Sequence, residues 1–225
     1  MQTVYYSLMP KLLALLFTMS VAFPLLSQND PSAAKPMHTP YTDSHEGMTV
    51  GVDPWATASR YKEKFPKKSP LTGGVVALQV SFRNDNDKGV KVDLQRIRLL
   101  VSVDEDNRQE LEPLSPDDVA DTVLLKQTTK DPTAKKVPLP IPTINKPKAT
   151  RDSNWVNFRD ACQNAAVPST VVGAHSTVEG LIYFDIRGEV DLLQAARLYV
   201  PNLVMMDSHE PISFFDIGLS HHSSN

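Results

Sequence analysis

The histidines of this chain are the side chains best suited to hold a metal ion. His221 and His222 are adjacent, and two imidazoles alone make a weak site, because a structural zinc ion takes four ligands. The remaining four lie apart from one another in sequence, without the spacing of a zinc site: His38, His45, His175 and His209. The sequence therefore assigns no metal ligands and no cofactor. A weak metal carrier that uses the two terminal histidines remains an alternative.

Two acidic runs, 84–87 and 104–107, could supply oxygen ligands to calcium. Neither run has the central glycine and the distal glutamate of a calcium-binding loop. Asn and Asp are also the residues that hairpin turns favour, because they tolerate left-handed backbone. We therefore interpret both runs as turns.

Candidate nucleophiles have no recognisable catalytic setting. The chain contains no Gly-x-Ser-x-Gly motif. Cys162 falls on the apolar face of a predicted helix, where a cysteine behaves as a small hydrophobic side chain. One alternative is a secreted hydrolase in which Asp104, Asp117 or Asp121 acts with His175. That reading requires these side chains to meet in one pocket, and the sequence by itself assigns no catalytic residue.

Two segments carry the candidate binding residues. The first is a basic stretch flanked by aromatic side chains, which could contact an anionic glycan or headgroup or could simply be a solvated face. The second is an alternating proline segment, which could dock into an aromatic groove or could be a plain linker. The residues concerned are Arg60, Lys62, Lys64, Lys67 and Lys68 in the first segment, and Pro138, Pro140 and Pro142 in the second.

The composition is that of an ordinary globular domain. The 225 residues are 41% hydrophobic and 22% charged, with a formal net charge of −3. Such a charge gives no field that would attract nucleic acid. The single cysteine excludes an intrachain disulfide, so the hydrophobic core alone must stabilise the fold.

The first 28 residues have the pattern of a secretory signal peptide. Lys11 precedes an apolar run over residues 12–23, and Pro24 follows it. The run is shorter than the roughly 20 residues that span a bilayer, although an uncleaved signal anchor is the alternative. We expect a periplasmic or secreted protein with no stable membrane span after cleavage, and a flexible, proline-containing linker over residues 29–48.

Alternating apolar residues predict antiparallel strands in the domain at 49–219. The clearest runs are 76–82, where one face is expected to be buried, and 178–186. Between Leu94 and Ile97 the alternation slips by one residue, which predicts a bulge or a bend. Further strands are predicted near 108–114, 196–203 and 212–219, and residues 220–225 are predicted to be a disordered tail.

Two helical insertions interrupt the strands. Ser115 and Pro116 have the residue types of a helix start, and the helix is expected to run to about Leu125. Asp152 or Ser153 caps the second helix, which is expected to end near Pro168. Between them lies a long Pro-rich loop over 126–153. A further short helical turn is predicted to begin at Asp53-Pro54.

Three segments resemble small exported bacterial immunoglobulin-like domains of unknown function. They are 75–84, 175–185 and 196–201, where a strand ends in an Asn-rich turn and a later strand reaches Phe184. The resemblance covers about a third of the chain, and the 115–166 segment departs from it. It implies a binding or structural role and offers no catalytic residues.

The sequence thus predicts a mainly β protein, an immunoglobulin-like antiparallel β-sandwich with two short helical insertions and a long Pro-rich loop. Its expected function is that of an exported, non-enzymatic binding or structural module of the bacterial cell envelope. The expected partner is an unknown envelope protein or glycan, and not a nucleic acid.

Overall fold

A computed structural model describes residues 39–104, 107–125, 151–201 and 203–220. These residues are mainly β: three antiparallel sheets, A, B and C, contain four strands each. Three α-helices accompany the sheets in the described part of the chain: α1 (Ala58–Tyr61), α2 (Pro116–Ala120) and α3 (Ser153–Ala165). All described residues belong to one compact unit.

Sheet A contains the longest strands. Its order is β1-β2-β3-β8, with β1 at Tyr41–His45, β2 at Met48–Pro54, β3 at Val75–Asn84 and β8 at Ser176–Asp185. Strands β3 and β8 pair along their whole length, from Val75 opposite Asp185 to Asn84 opposite Ser176. This ladder is about 30 Å long at about 3.3 Å per residue.

Sheet B is built from short strands in the order β11-β10-β4-β7. They are β4 (Val90–Lys91), β7 (Val171–Val172), β10 (Leu203–Met205) and β11 (Pro211–Ile212). The predicted slip between Leu94 and Ile97 is a bend: a 3₁₀ turn at Leu94–Arg96 carries the chain out of sheet B.

Sheet C receives the chain after that bend. Its order is β12-β9-β5-β6, with β5 at Arg98–Asp104, β6 at Asn107–Leu111, β9 at Arg197–Val200 and β12 at Phe215–Gly218. One hydrophobic cluster contains buried residues from all three sheets. In sheet A these are mainly the even-numbered residues of β3 and β8, such as Leu78, Phe82 and Phe184.

The other face of sheet A is also covered, which the alternation of β3 does not predict. Val75, Ala77, Leu181 and Tyr183 point away from the first cluster and join a second one with α2 and α3. We expected a single buried face. The correction follows from the helical segments, which lie on the outer face of sheet A and bury one end of it.

The N-terminal boundary of the β region also differs from the prediction. Part of the expected linker, residues 41–48, belongs to the β1–β2 hairpin, since Tyr41 pairs with Val52 and His45 with Met48. Likewise, Asp53-Pro54 ends strand β2 rather than starting a helix. Pairing with β3 overrides the local helix signal, and α1 begins only at Ala58.

The predicted starts of the two helical insertions are confirmed. The Ser115 hydroxyl accepts a hydrogen bond from the Asp118 backbone N–H, and the Asp118 carboxylate accepts one from the Ser115 N–H. After α2 the helix continues as a π-helical turn at Asp121–Leu125. Asp152 caps α3 by accepting a hydrogen bond from the Trp155 N–H at 2.9 Å.

Candidate binding groove

The basic stretch lies on the outer side of sheet A, held there by aromatic anchors. Tyr61 is fully buried, and its hydroxyl accepts a 2.9 Å hydrogen bond from the Ala77 N–H of β3. Trp55 packs edge-on against Tyr61 with ring centroids 5.3 Å apart, and Phe65 is 4% exposed. Because the aromatic residues point inward, most of the lysines between and after them are left at the surface.

The basic side chains divide into two groups. The Arg60 guanidinium pairs with the Asp53 carboxylate and lies 5.4 Å from the centre of the Trp55 ring. Lys62, at the end of α1, is exposed. Lys64, Lys67 and Lys68 instead line a groove with a volume of about 490 Å³. Only these last three of the five predicted residues are therefore brought together in one groove.

The groove runs between the basic stretch and α3. Phe65 and Pro66 form one side, and Phe158 and Ala161 form the other, with the Phe65 and Phe158 ring centroids 6.0 Å apart. Leu124, from the π-helical turn, completes the apolar lining. The polar lining consists of the three lysines and the exposed amides of Asn154 and Asn157.

Helix α3 is fixed against α2 by an aromatic and ionic contact. The Asp121 carboxylate accepts a 2.7 Å hydrogen bond from Trp155 Nε1 and, through its other oxygen, a 3.0 Å bond from Arg151. The Arg151 guanidinium also lies 4.6 Å from the centre of the Trp155 ring, and the hydrogen bond to Asp121 raises the pKa of Arg151. This contact joins the described residues on either side of 126–150.

The described side chains that line the groove carry positive charge and no negative charge. No acidic side chain is among the described residues that line it. Residues 126–150 contain six lysines and one aspartate, and residues 60–68 contain five basic side chains and one glutamate. The whole chain is nevertheless acidic, with a net charge of −3. Positive charge is thus concentrated in these two stretches of the sequence, of which 64–68 supplies the three lysines of the groove.

The candidate residues Pro138, Pro140 and Pro142 lie outside the described residues. The same is true of residues 1–38, which include the predicted signal peptide, and of His221 and His222. Their assignment stays a prediction from the sequence.

Cys162 is a buried structural residue, as predicted. Its side chain is 0% exposed, and burial raises the pKa of the thiol to about 12, so the thiolate is disfavoured. The hydroxyl of Tyr183 donates a 2.9 Å hydrogen bond to the Cys162 carbonyl oxygen, and burial also raises the pKa of Tyr183. The environment suits packing of α3 on sheet A and opposes nucleophilic chemistry.

Of the hydrolase alternative, the described side chains of Asp117, Asp121 and His175 do not converge. Asp121 lies in the same π-helical turn as Val123, which packs against Gly73 just before the start of β3. A Cβ added at Gly73 would lie 2.8 Å from the Val123 Cα. His175 lies at the other end of the β3–β8 ladder and pairs with Asp87 at 2.8 Å. Asp117 is on α2, next to Asp121, and the side chain of Asp104 is outside the described set.

The acidic run at 84–87 forms a turn. Asn84 is buried, and its amide donates to the carbonyl oxygens of Lys88, Val172 and Gly173, while its side-chain oxygen accepts from the Asn86 N–H. These bonds account for an Asn-rich sequence at the end of β3. Within the described ranges, no group of three or more His, Cys, Asp or Glu is arranged to hold a metal.

The α3 side of the groove was not predicted from the sequence. Asn154 and Asn157 are exposed residues of a helix for which only the apolar face gave a signal. A usable signal was present in the strands: Val75-Val76-Ala77-Leu78 and Leu181-Ile182-Tyr183-Phe184 are continuous apolar runs, which are typical of strands buried on both faces. They predict a cover over sheet A, and that cover is the helical segment that forms the groove.

Among the described residues, no helix is long and apolar enough to cross a membrane. Comparison with known proteins identifies no matching family and no matching curated protein. A crystal structure of a functionally unknown protein from Listeria monocytogenes EGD-e is similar over 76% of this chain and 71% of that chain, at 16% identity and a TM-score of 0.33. At this level of similarity we infer neither the fold nor the function from it.

Proposed function

We propose that this protein is an exported, non-enzymatic binding module of the bacterial cell envelope, with an immunoglobulin-like β-sandwich as its scaffold. We assign the function to the lysine-lined groove together with residues 126–150, which lie in sequence between Leu125 and Arg151. The partner is an envelope protein or glycan, and the protein acts in the periplasm or outside the cell.

The observation that carries this proposal is the position of the groove. Lys64, Lys67 and Lys68 line the groove together with Leu124 and Asn154, which come shortly before and shortly after residues 126–150 in the chain. Binding residues are commonly placed on irregular segments supported by a rigid sheet. A concentrated positive charge on an acidic protein is suited to recognising an acidic partner.

The scaffold assignment rests on the arrangement of the sheets. Buried residues of sheet A share one hydrophobic cluster with those of sheets B and C, as the two layers of a sandwich would. The chain passes from β4 in sheet B to β5 in sheet C through a 3₁₀ turn. An experimental structure with its strand connections traced would test the immunoglobulin-like topology.

Affinity capture from envelope extracts tests the function. The bait is the exported protein, and the matched bait replaces 126–150 with a short Gly/Ser linker while keeping Arg151 and its contact with Asp121. A component that the first bait captures and the second does not supports the proposal. Equal capture by both baits would reject this surface, and capture of nothing by either would reject the binding role in favour of catalysis or small-ligand binding.

A further inference from the structure

The groove has two chemical parts that together select a class of ligand. Its lining combines aliphatic and ring atoms, from Pro66, Leu124 and Ala161 among others, with three lysine side chains. A ligand that fills both parts must present an apolar side chain next to carboxylates. We propose that the groove binds an extended acidic peptide segment of a partner protein, in which apolar side chains alternate with Asp or Glu. This inference rests on the proposed binding function and names its partner class.

The apolar part of the groove favours a peptide over a glycan. Sugar rings bind by stacking on open aromatic faces, yet Phe65 and Phe158 are only 4% and 8% exposed. What remains accessible is the exposed Pro66 with the half-buried side chains of Leu124 and Ala161. Such a surface suits an aliphatic side chain, which gains about 25 cal/mol per Å² of apolar surface removed from water.

The polar part favours a peptide with carboxylates. Lys64 and Lys67 are exposed at the groove, and ammonium groups in this position attract carboxylates through solvent. The exposed amides of Asn154 and Asn157 carry both donors and acceptors, which match the N–H and C=O groups of a peptide backbone.

The charge of residues 126–150 favours a segment of another protein, and not this protein's own chain, as the ligand of the groove. Residues 126–150 contain six lysines and one aspartate, so their charge does not complement that of Lys64 and Lys67. Other grooves have the opposite character, since Glu112 and Asp118 line one of them. Acidic ligands are thus directed to the lysine-lined groove.

Fluorescence anisotropy with a defined probe tests the inference. The probe is a fluorescein-labelled peptide in which Glu alternates with Leu, titrated with the exported protein and with the double variant Lys64→Glu/Lys67→Glu. Both positions are exposed, so the fold is expected to be retained, which circular dichroism checks. We expect the double variant to bind at least about tenfold more weakly, and binding by the unsubstituted protein to weaken with added salt.

The matched control is Lys91→Glu/Arg96→Glu, which makes the same charge change at exposed positions outside the groove and outside 60–68. It is expected to change the dissociation constant by less than about twofold. Equal weakening in both double variants would overturn the inference, because a general field would then explain the binding. Failure of the unsubstituted protein to bind the probe would also overturn it.

Two altered probes decide the ligand class. Replacing Glu by Lys is expected to abolish binding, and replacing Leu by Ser is expected to weaken it at least about tenfold. Equal binding of the serine probe would overturn the inference in favour of a purely anionic ligand such as a glycan. If Lys64→Glu/Lys67→Glu still captures every envelope component lost with 126–150, the groove inference fails while the proposed function stands.

Discussion

The Trp155 indole donates a 2.7 Å hydrogen bond from Nε1 to the Asp121 carboxylate. Trp155 is 5% exposed, and Asp121 belongs to the turn that leads into residues 126–150. The bond therefore joins the start of α3 to the end of α2, which stand on either side of that segment in the sequence. It also fixes the helix that provides one side of the groove.

Asp121→Ala should destabilise the protein by about 1–3 kcal/mol, because it leaves the buried Trp155 N–H without an acceptor. Asp121→Asn keeps an acceptor oxygen and loses only the ion pair with Arg151, so its cost should be smaller. Urea unfolding followed by tryptophan fluorescence measures both. The control is Asp117→Ala, an exposed acid on the same helix, with an expected change of about 0.5 kcal/mol. Equal effects at 117 and 121 would show that the contact is not stabilising.

Gly180→Ala should be among the most disruptive small substitutions. A Cβ at Gly180 would lie 2.5 Å from the backbone N and Cα of Val167, where the chain after α3 lies against β8. Backbone atoms cannot yield as a side chain does, so the expected loss is about 2–3 kcal/mol or more. At Gly218 the added Cβ would lie 3.7 Å from the flexible end of Arg197, and Gly218→Ala should cost less than about 1 kcal/mol. Thermal unfolding of both variants checks the difference, and comparable midpoints would contradict it.

The buried thiol of Cys162 should make stability fall at high pH. Burial raises its pKa to about 12, so the folded state holds the proton more tightly than the unfolded state, where the pKa is about 8.5. The stabilisation is complete below pH 8.5 and is lost as pH rises toward 12. Between pH 7 and pH 10 this amounts to about 1–2 kcal/mol.

The variant Cys162→Ala isolates this contribution. It removes the thiol, so its stability should fall less steeply between pH 7 and pH 10 than that of the unsubstituted protein, even if it is less stable at pH 7. Urea unfolding at each pH gives the two slopes. Identical slopes would mean that the thiol does not titrate differently in the folded and unfolded states.

Tyr61→Phe should lower both the stability of the protein and its affinity for the Glu/Leu probe. The Tyr61 hydroxyl accepts a hydrogen bond from the Ala77 N–H, which lies beyond the end of the β2–β3 pairing. Removing the hydroxyl leaves this buried N–H without an acceptor, at a cost of about 1–2 kcal/mol. Because Tyr61 anchors the stretch that carries Lys64, binding of the Glu/Leu probe should also weaken. Tyr199→Phe, at a half-buried position in sheet C, is the control and should change neither quantity. Unchanged stability of Tyr61→Phe would contradict the anchoring role.

The sequence predicted the strands and helices where a local pattern determines them. The alternation at Val76–Phe82, the cap at Ser115 and the apolar face of Trp155 and Cys162 each correspond to an observed element. The linker boundary was wrong because β1 forms by pairing with β2, and residues such as Asp43 and Ser44 carry no strong strand signal.

The groove was predicted only in part, for a different physical reason. Exposed lysines could be chosen from composition, but which of them share a surface depends on the long-range packing of Phe65 against Phe158. Likewise, Arg60 was grouped with the lysines, although its pairing with Asp53 on β2 holds it outside the groove.

Site-specific photo-crosslinking in cells that produce the protein tests the central claim most directly. A photo-reactive amino acid replaces Lys67 at the groove or, as the matched control, Lys91 on sheet B, both exposed positions. We predict a discrete adduct with one partner from position 67, reduced by an excess of the Glu/Leu peptide, and no such adduct from position 91. An absence of adduct at 67, or the same adduct from both positions, would contradict the assignment of this groove as the binding surface.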